Sequence, residues 1–524
     1  MRRFALGVVA ALALACGAEK PSAPAAGVGA ARLTTRPCWF EADVANYDLE
    51  VECAELRVPE RWDAPDPARE VRIPVVTLRT GGDARWATLV PGGGGPGGSV
   101  GLESDDAATT VENQAPIAAE SGGDLVIVDQ RGAGLATPAF RCDELRDATL
   151  RWLRSDLSIE EEAALWSDAV QRCRARLAGA GIALDAYDAQ SAVRDFEALR
   201  GALGYEQWNL FGTSYAGELA LHYASAAPTA VRALVLDSPG VPGGSVVSPA
   251  WFAHVLEALF ARCAADPRCA RDLASPGAAL DRLLRRFAEK PLELTVSDPA
   301  GLSPVQIKVT PVKLLDMIFD AMYDTKRAHE LPLVLSAADR SSYDWLHELA
   351  REYVWTLLDP RFSDALLGAV PCRESIPFAD LARAEREASE SPWARAFVGV
   401  ERVTTAVCRA WNVGRAEPLA VVAGPPALVL AGQLDPVIAL PEVEQAARSL
   451  RAQLIEFPAT GHSVDASWWH CLDPLIASFL ADPLARLDDR AIEECRSHAD
   501  ETEFSALERP ESLPDLGPKP SSTR

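Results

Sequence analysis

The stretch QWNLFGTSYAG (207–217) decides how this chain is read. A short apolar run breaks at Gly212, a serine follows two residues later, and Ala216, Leu219, Ala220, Tyr223 and Ala227 then recur at helical spacing up to Pro228. A strand that turns straight into a helix leaves almost no room at the turn. A serine there is pushed outward, its Oγ exposed at the C-terminal edge of a sheet. The spacing is that of a G-x-S-x-G turn, except that Ala216 stands where the last glycine is usual and Gly217 follows. An ordinary turn or N-cap serine has similar neighbours, so the surrounding chain carries the decision.

Six other apolar runs frame the stretch: VRIPVVTLRT (71–80), WATLV (86–90), DLVIVDQ (124–130), ALVLDS (233–238), ALVLAG (427–432) and QLIEFP (453–458). Continuous runs of this kind, separated by helical segments, predict strands buried on both faces of a mostly parallel sheet, an α/β fold. Between ALVLDS and ALVLAG the pattern changes to AWFAHVLEALFARC, PVKLLDMIFDAMY and YDWLHELAREYVWTLL, whose apolar residues repeat every three or four positions. Residues 241–415 are therefore expected to form a mainly helical cap inserted between two strands of one sheet. The core is expected in two parts, 37–240 and 416–498, with a disordered tail at 499–524.

The chain of 524 residues carries 51 basic and 75 acidic side chains, a net charge of −24, which argues against nucleic-acid binding. Its first 16 residues, MRRFALGVVAALALAC, pair two arginines with an apolar run too short to span a bilayer, the form of a secretory signal. The run ends on Cys16, as in bacterial lipoprotein signals, although Ala13 replaces the usual leucine. Acylation of Cys16 with membrane anchoring, or plain cleavage, both follow from this pattern. Residues 17–36, rich in Ala, Gly, Pro and Ser, read as a flexible linker. The expected location is exported, either as a bacterial envelope lipoprotein or secreted. Ten further cysteines fall into neighbours along the chain: Cys38 with Cys53, Cys142 with Cys173, Cys263 with Cys269, Cys372 with Cys408 and Cys471 with Cys495. As disulfides in an oxidising compartment, each would contribute about 2–4 kcal/mol. A zinc site is the rival reading, against which stand the lack of any C-x-x-C pair and of histidines among the cysteines.

Two loops complete the chemistry that Ser214 would need. GQLDPVIAL carries Asp435 after one strand, and PATGHSV carries His462, 27 residues later, after another. Serine, acid and histidine in that chain order suit a hydrolytic triad: His462 takes the Oγ proton and Asp435 orients the imidazole. Asp237, at the end of ALVLDS, is the rival acid, whereas His222 and His470 read as packing or surface residues. The run PGGGGPGGS (91–99) is too glycine-rich for a regular element and lacks the G-K-[ST] of a phosphate loop. Glycine lets a backbone approach a ligand closely. The N–H groups of Gly95 and Tyr215 are therefore assigned to the developing oxyanion.

GGPGGS (94–99), DQRGAG (129–134), GTSYAG (212–217), GQLDPV (432–437) and GHS (461–463), in this order, resemble the motifs of the proline iminopeptidase and tripeptidyl aminopeptidase family of secreted α/β-hydrolase serine peptidases. PCRES (371–375), CRAWNVG (408–414) and CAADPRC (263–269) are similar to it as well. The resemblance implies an α/β-hydrolase fold with a helical cap, a Ser214, Asp435 and His462 triad, and release of residues from the free N-terminus of peptides, with no metal or organic cofactor. The DQRG loop is expected to be structural, through Asp129 and Arg131. Glu374, at the matching family position, and Glu218, four residues past the serine, are the carboxylates expected to bind the substrate's ammonium group. Trp251, Phe252, Tyr323, Trp345 and Trp355 are divided between cap core and substrate pocket. A lipase or carboxylesterase on the same fold and a non-catalytic binding lipoprotein are the alternatives.

Overall fold

The computed structural model describes residues 31–502 and 504, apart from 83–84, 104–105, 242–246, 274, 300, 302, 420 and 422. The signal-like segment with Cys16, most of the linker and the last 20 residues lie outside this range. The strands are β1 (Arg32–Arg36), β2 (Glu50–Pro59), β3 (Glu70–Arg79), β4 (Trp86–Pro91), β5 (Asp124–Val128), β6 (Gln207–Thr213), β7 (Val231–Asp237), β8 (Leu292–Val296), β9 (Val305–Val309), β10 (Ala427–Gly432) and β11 (Gln453–Phe457). Nine of them form one sheet in the order β1-β2-β3-β5-β4-β6-β7-β10-β11. Pairing is antiparallel from β1 to β5 and parallel from there to β11. Alternate residues of one strand enter two different apolar clusters: Val126 and Val128 on one face of β5, Leu125 and Ile127 on the other. Burial on both faces is why these strands read as unbroken apolar runs.

The helices before the cap are α1 (Ala107–Ser121), α2 (Asp143–Leu153), α3 (Ile159–Gly179), α4 (Ala189–Leu203) and α5 (Tyr215–Ala226). The cap contributes α6 (Pro249–Ala265), α7 (Pro267–Asp272), α8 (Pro276–Glu289), α9 (Pro311–Ala321), α10 (Thr325–Asp339), α11 (Asp344–Leu357), α12 (Asp364–Glu374), α13 (Leu381–Glu390) and α14 (Val400–Trp411), and α15 (Leu440–Leu450), α16 (Val464–Ala481) and α17 (Asp489–Thr502) follow. The cap has a core of its own, with Phe252, Leu256, Leu283, Met317 and Leu335 buried together. Trp152 and Leu153 of α2 belong to that same core, so helices preceding β6 in sequence pack with the cap. The 240/241 boundary is therefore not a packing boundary.

Two sequence expectations need correction. The end of the supposed linker, Arg32–Arg36, is β1, paired along its length with Arg57–Cys53 of β2. The cap is mainly helical, as expected, and β8 and β9 add one antiparallel hairpin inside it. Beyond Ser497, α17 continues to Thr502, and Ala499 and Phe504 are buried, because they cover apolar surface that the polar composition of the tail does not reveal. All ten described cysteines pair with their chain neighbours, at Cα separations of 5.1–5.7 Å. Among the described residues no helix is long and apolar enough to cross a membrane.

Between β6 and α5 the backbone reverses at Ser214, whose φ of 57° and ψ of −121° are unusual for a residue with a side chain. Such a conformation costs on the order of 1–3 kcal/mol and persists only where packing enforces it. Glycines on either side supply the room. A Cβ at Gly212 would penetrate the Ala216 carbonyl, and one at Gly217 would lie 2.9 Å from Pro239 Cβ. Ala216 is accommodated with its methyl group buried in the first turn of α5. The departure from G-x-S-x-G thus falls where the turn tolerates a methyl group. Gly212→Ala is expected to destabilise the fold by roughly 2–4 kcal/mol, read as a lowered denaturant midpoint. Gly179→Ala, at a position with nothing within 4 Å of the added atom, should leave the midpoint within experimental scatter.

Candidate active site

The turn bearing Ser214 and the segment just after His462 are both held at the end of β7. Ser214 N donates to Asp237 O at 2.9 Å, and Ser463 N donates to Ser238 Oγ at 3.1 Å. The Asp237 carboxylate accepts from Val464 N at 2.9 Å and Asp465 N at 3.0 Å, capping α16 immediately after the histidine. Across the turn, a Cβ added to Gly94 would sit 3.4 Å from Ser214 Cβ and 4.0 Å from its Oγ, so the glycine loop lies directly against the serine. Gly95 within that loop has a φ of +64°. Asp129 pins the loop by accepting from Val100 N at 2.9 Å, while its other oxygen accepts from Leu135 N at 3.0 Å. Arg131 lies away from the serine, in a buried pair with Asp195 at 2.5 Å. Tyr215 is the first residue of α5, so its N–H has no acceptor within the helix.

Asp435 Oδ2 lies 2.8 Å from His462 Nδ1, and both side chains are buried. The remaining Asp435 oxygen accepts from Val437 N at 2.8 Å and Ile438 N at 3.0 Å, which fixes the carboxylate. Asp237, the rival acid, is committed to backbone N–H groups, so the imidazole is paired with Asp435. Burial alone would lower the His462 pKa, but the Asp435 charge and hydrogen bond, with Asp237 farther off, raise it above 6.5.

The cap reaches both members of this pair. Trp251 Nε1 donates to the Asp435 carbonyl at 2.7 Å. Tyr323 packs edge-on against His462, with ring centroids 5.2 Å apart at 74°. Phe252 is cap core, Trp345 packs against that core, and Trp355 donates to Ser297 O at 3.0 Å. Sequence placed Trp251 and Tyr323 among possible pocket residues, but no local signal marked them as neighbours of the acid and the histidine.

Glu374 and Glu218 are both buried, unlike most glutamates. Glu374 Oε1 accepts from Ala189 N at 2.7 Å, at the start of α4, and Oε2 from the Tyr215 hydroxyl at 3.4 Å. Burial pushes Glu374 up to about 8, helped by the Asp188 and Glu218 charges and opposed by the Ala189 N–H and Arg373. Burial likewise pushes Glu218 up to about 7. His222 lies 4.0 Å from Glu218 and is pushed down to about 4, chiefly by burial. The structure therefore gathers a protonatable acid pair next to the residue that follows the serine. Among the described residues, the one group with metal-ligand proximity is Cys142, Glu144 and Cys173. Its cysteines are bridged and Glu144 pairs with Arg176 at 2.8 Å, which leaves no donor set for an ion.

A sequence model of the family described as alpha/beta hydrolase fold matches residues 89–464. The chain is 26% identical over 459 residues to Serine protease Hip1 of Mycobacterium tuberculosis, covering 82% of this chain and 84% of that one. Carboxylesterase B of the same organism is 28% identical over 504 residues, covering 90% and 93%. Tripeptidyl aminopeptidase of Streptomyces lividans is 26% identical over 228 residues, 41% of this chain and 40% of that one.

An NMR titration of the imidazole nitrogens should give His462 a midpoint above 6.5. Asp435→Asn, which removes the stabilising charge, should lower that midpoint. A midpoint that does not respond would mean that the pair is not electrostatically coupled.

Proposed function

The chain belongs to the alpha/beta hydrolase fold family and is a serine hydrolase, and on that premise we propose that it is an exported aminopeptidase that releases a single proline or a short tripeptide from the free N-terminus of peptides. The observation that carries this reading is the buried Asp435–His462 pair, 2.8 Å apart, tied through Asp237 and Ser238 to the turn that bears Ser214. In this mechanism Ser214 Oγ attacks the acyl carbon while His462 Nε2 takes its proton, and Asp435 stabilises the imidazolium through Nδ1. The N–H groups of Gly95 and Tyr215 hold the oxyanion. His462 returns the proton to the departing amine, and water repeats the sequence on the acyl-enzyme. No step calls on a metal or organic cofactor.

Peptide substrates are favoured by two relatives, named as a serine protease and a tripeptidyl aminopeptidase. The Glu374–Glu218 pair supplies the negative charge that an ammonium group requires, in a buried setting where a charge-assisted hydrogen bond counts most. Export, with or without a lipid on Cys16, is supported by the five disulfides. Carboxylesterase activity is the second reading, favoured by the relative of that name that matches over 504 residues. A panel of chromogenic amides with free and blocked N-termini, set beside short and long acyl esters, separates the two.

Ser214→Ala should lower kcat at least about a thousandfold without changing the melting curve, and should abolish labelling by a fluorophosphonate. Retained turnover would remove the nucleophile assignment. Glu374→Gln should raise KM for free-amine peptides about tenfold and leave N-acetylated substrates unaffected. In the native enzyme, KM for free-amine peptides should rise as pH falls below about 8, because the Glu374 carboxyl gains a proton there and loses its charge. A pH-independent KM would exclude these glutamates as the ammonium site.

A further inference from the structure

The turn joining α9 to α10 is fixed on the histidine loop. A Cβ at Gly461 would lie 2.5 Å from Met322 O, so the two backbones are in close contact and a glycine is required. Gly461 N donates to Thr325 Oγ1 at 3.1 Å, and that hydroxyl also lies 2.7 Å from Ser467 Oγ on α16. Between these two attachments stands Tyr323. One edge of its ring meets His462, and Phe319 backs it at 5.6 Å in an edge-on stack. Yet Tyr323 is 42% exposed, whereas His462 is 4% exposed. The ring therefore shields the imidazole on one side and faces open space on the other, and its position is set by the attached turn.

Acyl-transfer chemistry determines what that open space receives. The leaving group must lie beside the imidazole, because His462 Nε2 delivers its proton. By microscopic reversibility, the water or amine that later attacks the acyl-enzyme occupies the same place. We propose that Tyr323 is a specificity-determining residue that forms the wall of the leaving-group subsite and binds the apolar part of the departing or accepting amine. This inference rests on the assignment of Ser214 and His462 as nucleophile and base. It holds for a peptidase and an esterase alike, since both pass through the same acyl-enzyme.

The test uses the full chain and p-nitrophenyl acetate, which yields a single acyl-enzyme, with added phenylalanine amide competing with water. Acetyl transfer to the amide forms an N-acetyl bond and frees the Ser214 hydroxyl, with the amine proton taken by His462; hydrolysis yields acetate. Tyr323→Ala should lower the ratio of transfer to hydrolysis about fivefold to tenfold, while Tyr323→Phe, which keeps the ring, should retain it. Hydrolysis of the acetyl-enzyme without added amine is followed for each variant in parallel, so that a change in the ratio is read apart from any change in the rate of deacylation. If Tyr323→Ala slows acylation and hydrolysis equally and leaves the ratio unchanged, Tyr323 merely positions His462 and the proposal is overturned. Mass spectrometry of the quenched reaction reports separately on the premise: acetyl on Ser214 upholds it, and acetyl elsewhere refutes the nucleophile assignment itself.

Discussion

The end of β7 is the point on which the site depends. Asp237 holds the serine turn through its carbonyl and caps α16 through its carboxylate, and Ser238 holds the backbone just past the histidine. Parallel register aligns the strand ends around it: Thr213 opposite Asp237, Asp237 opposite Leu430, and Gly432 opposite Phe457. Loops leaving aligned strand ends emerge at one edge, so the serine, acid and histidine come from separate strands to a common rim. Ser214, Ser238 and Ser463 all have positive φ, which concentrates backbone strain where these loops meet. Hydrogen bonds to the Asp237 carbonyl and carboxylate and to Ser238 Oγ tie these loops together at that point.

The cap is coupled to this rim by more than its chain connections. Trp251 of α6 bonds the Asp435 carbonyl, and the turn after α9 grips Gly461. A third contact comes from the segment before α12, where Ser363 N donates to Gly97 O at 2.9 Å and a Cβ on Gly95 would lie 3.2 Å from Phe362 Cζ. Cap packing and the geometry of the acid, histidine and glycine loops therefore change together. A large opening of this cap would have to break these contacts, and substrate entry through smaller movements of side chains and turns disturbs the site least.

Glu374 and Glu218 illustrate a second constraint. Burial pushes both carboxyls up, Glu374 to about 8 with the Asp188 and Glu218 charges adding to the rise, and Glu218 to about 7, so the pair holds protons near neutrality. Arg373 is nearby, but it bonds Asp188 at 3.0 Å. Under the proposed function, an ammonium group bound here would favour the ionised pair, so ligand charge and pH would be linked variables. An uncharged ester gains nothing from such an arrangement, and the charge at this place is the physical difference between the peptidase and esterase readings.

Sequence by itself determined the α/β class, the strand-to-helix turn at Ser214, the glycine loop and the chain order of acid and histidine. These are local properties: apolar runs, turn residues and spacing follow from interactions within a few positions. Neighbouring cysteines were readable for the same reason. Asp237 and Asp435 both follow buried strands, and local pattern does not distinguish them; tertiary structure does, because the N-terminus of α16 consumes the first and leaves the second to His462. The burial of Glu374, the union of α2 with the cap core, and the contacts of Trp251 and Tyr323 were likewise decided only by folding. Each joins residues more than a hundred positions apart, as with Trp251 and Asp435, separated by 184. Contacts of that range arise from how whole elements pack, and no short window of sequence encodes them.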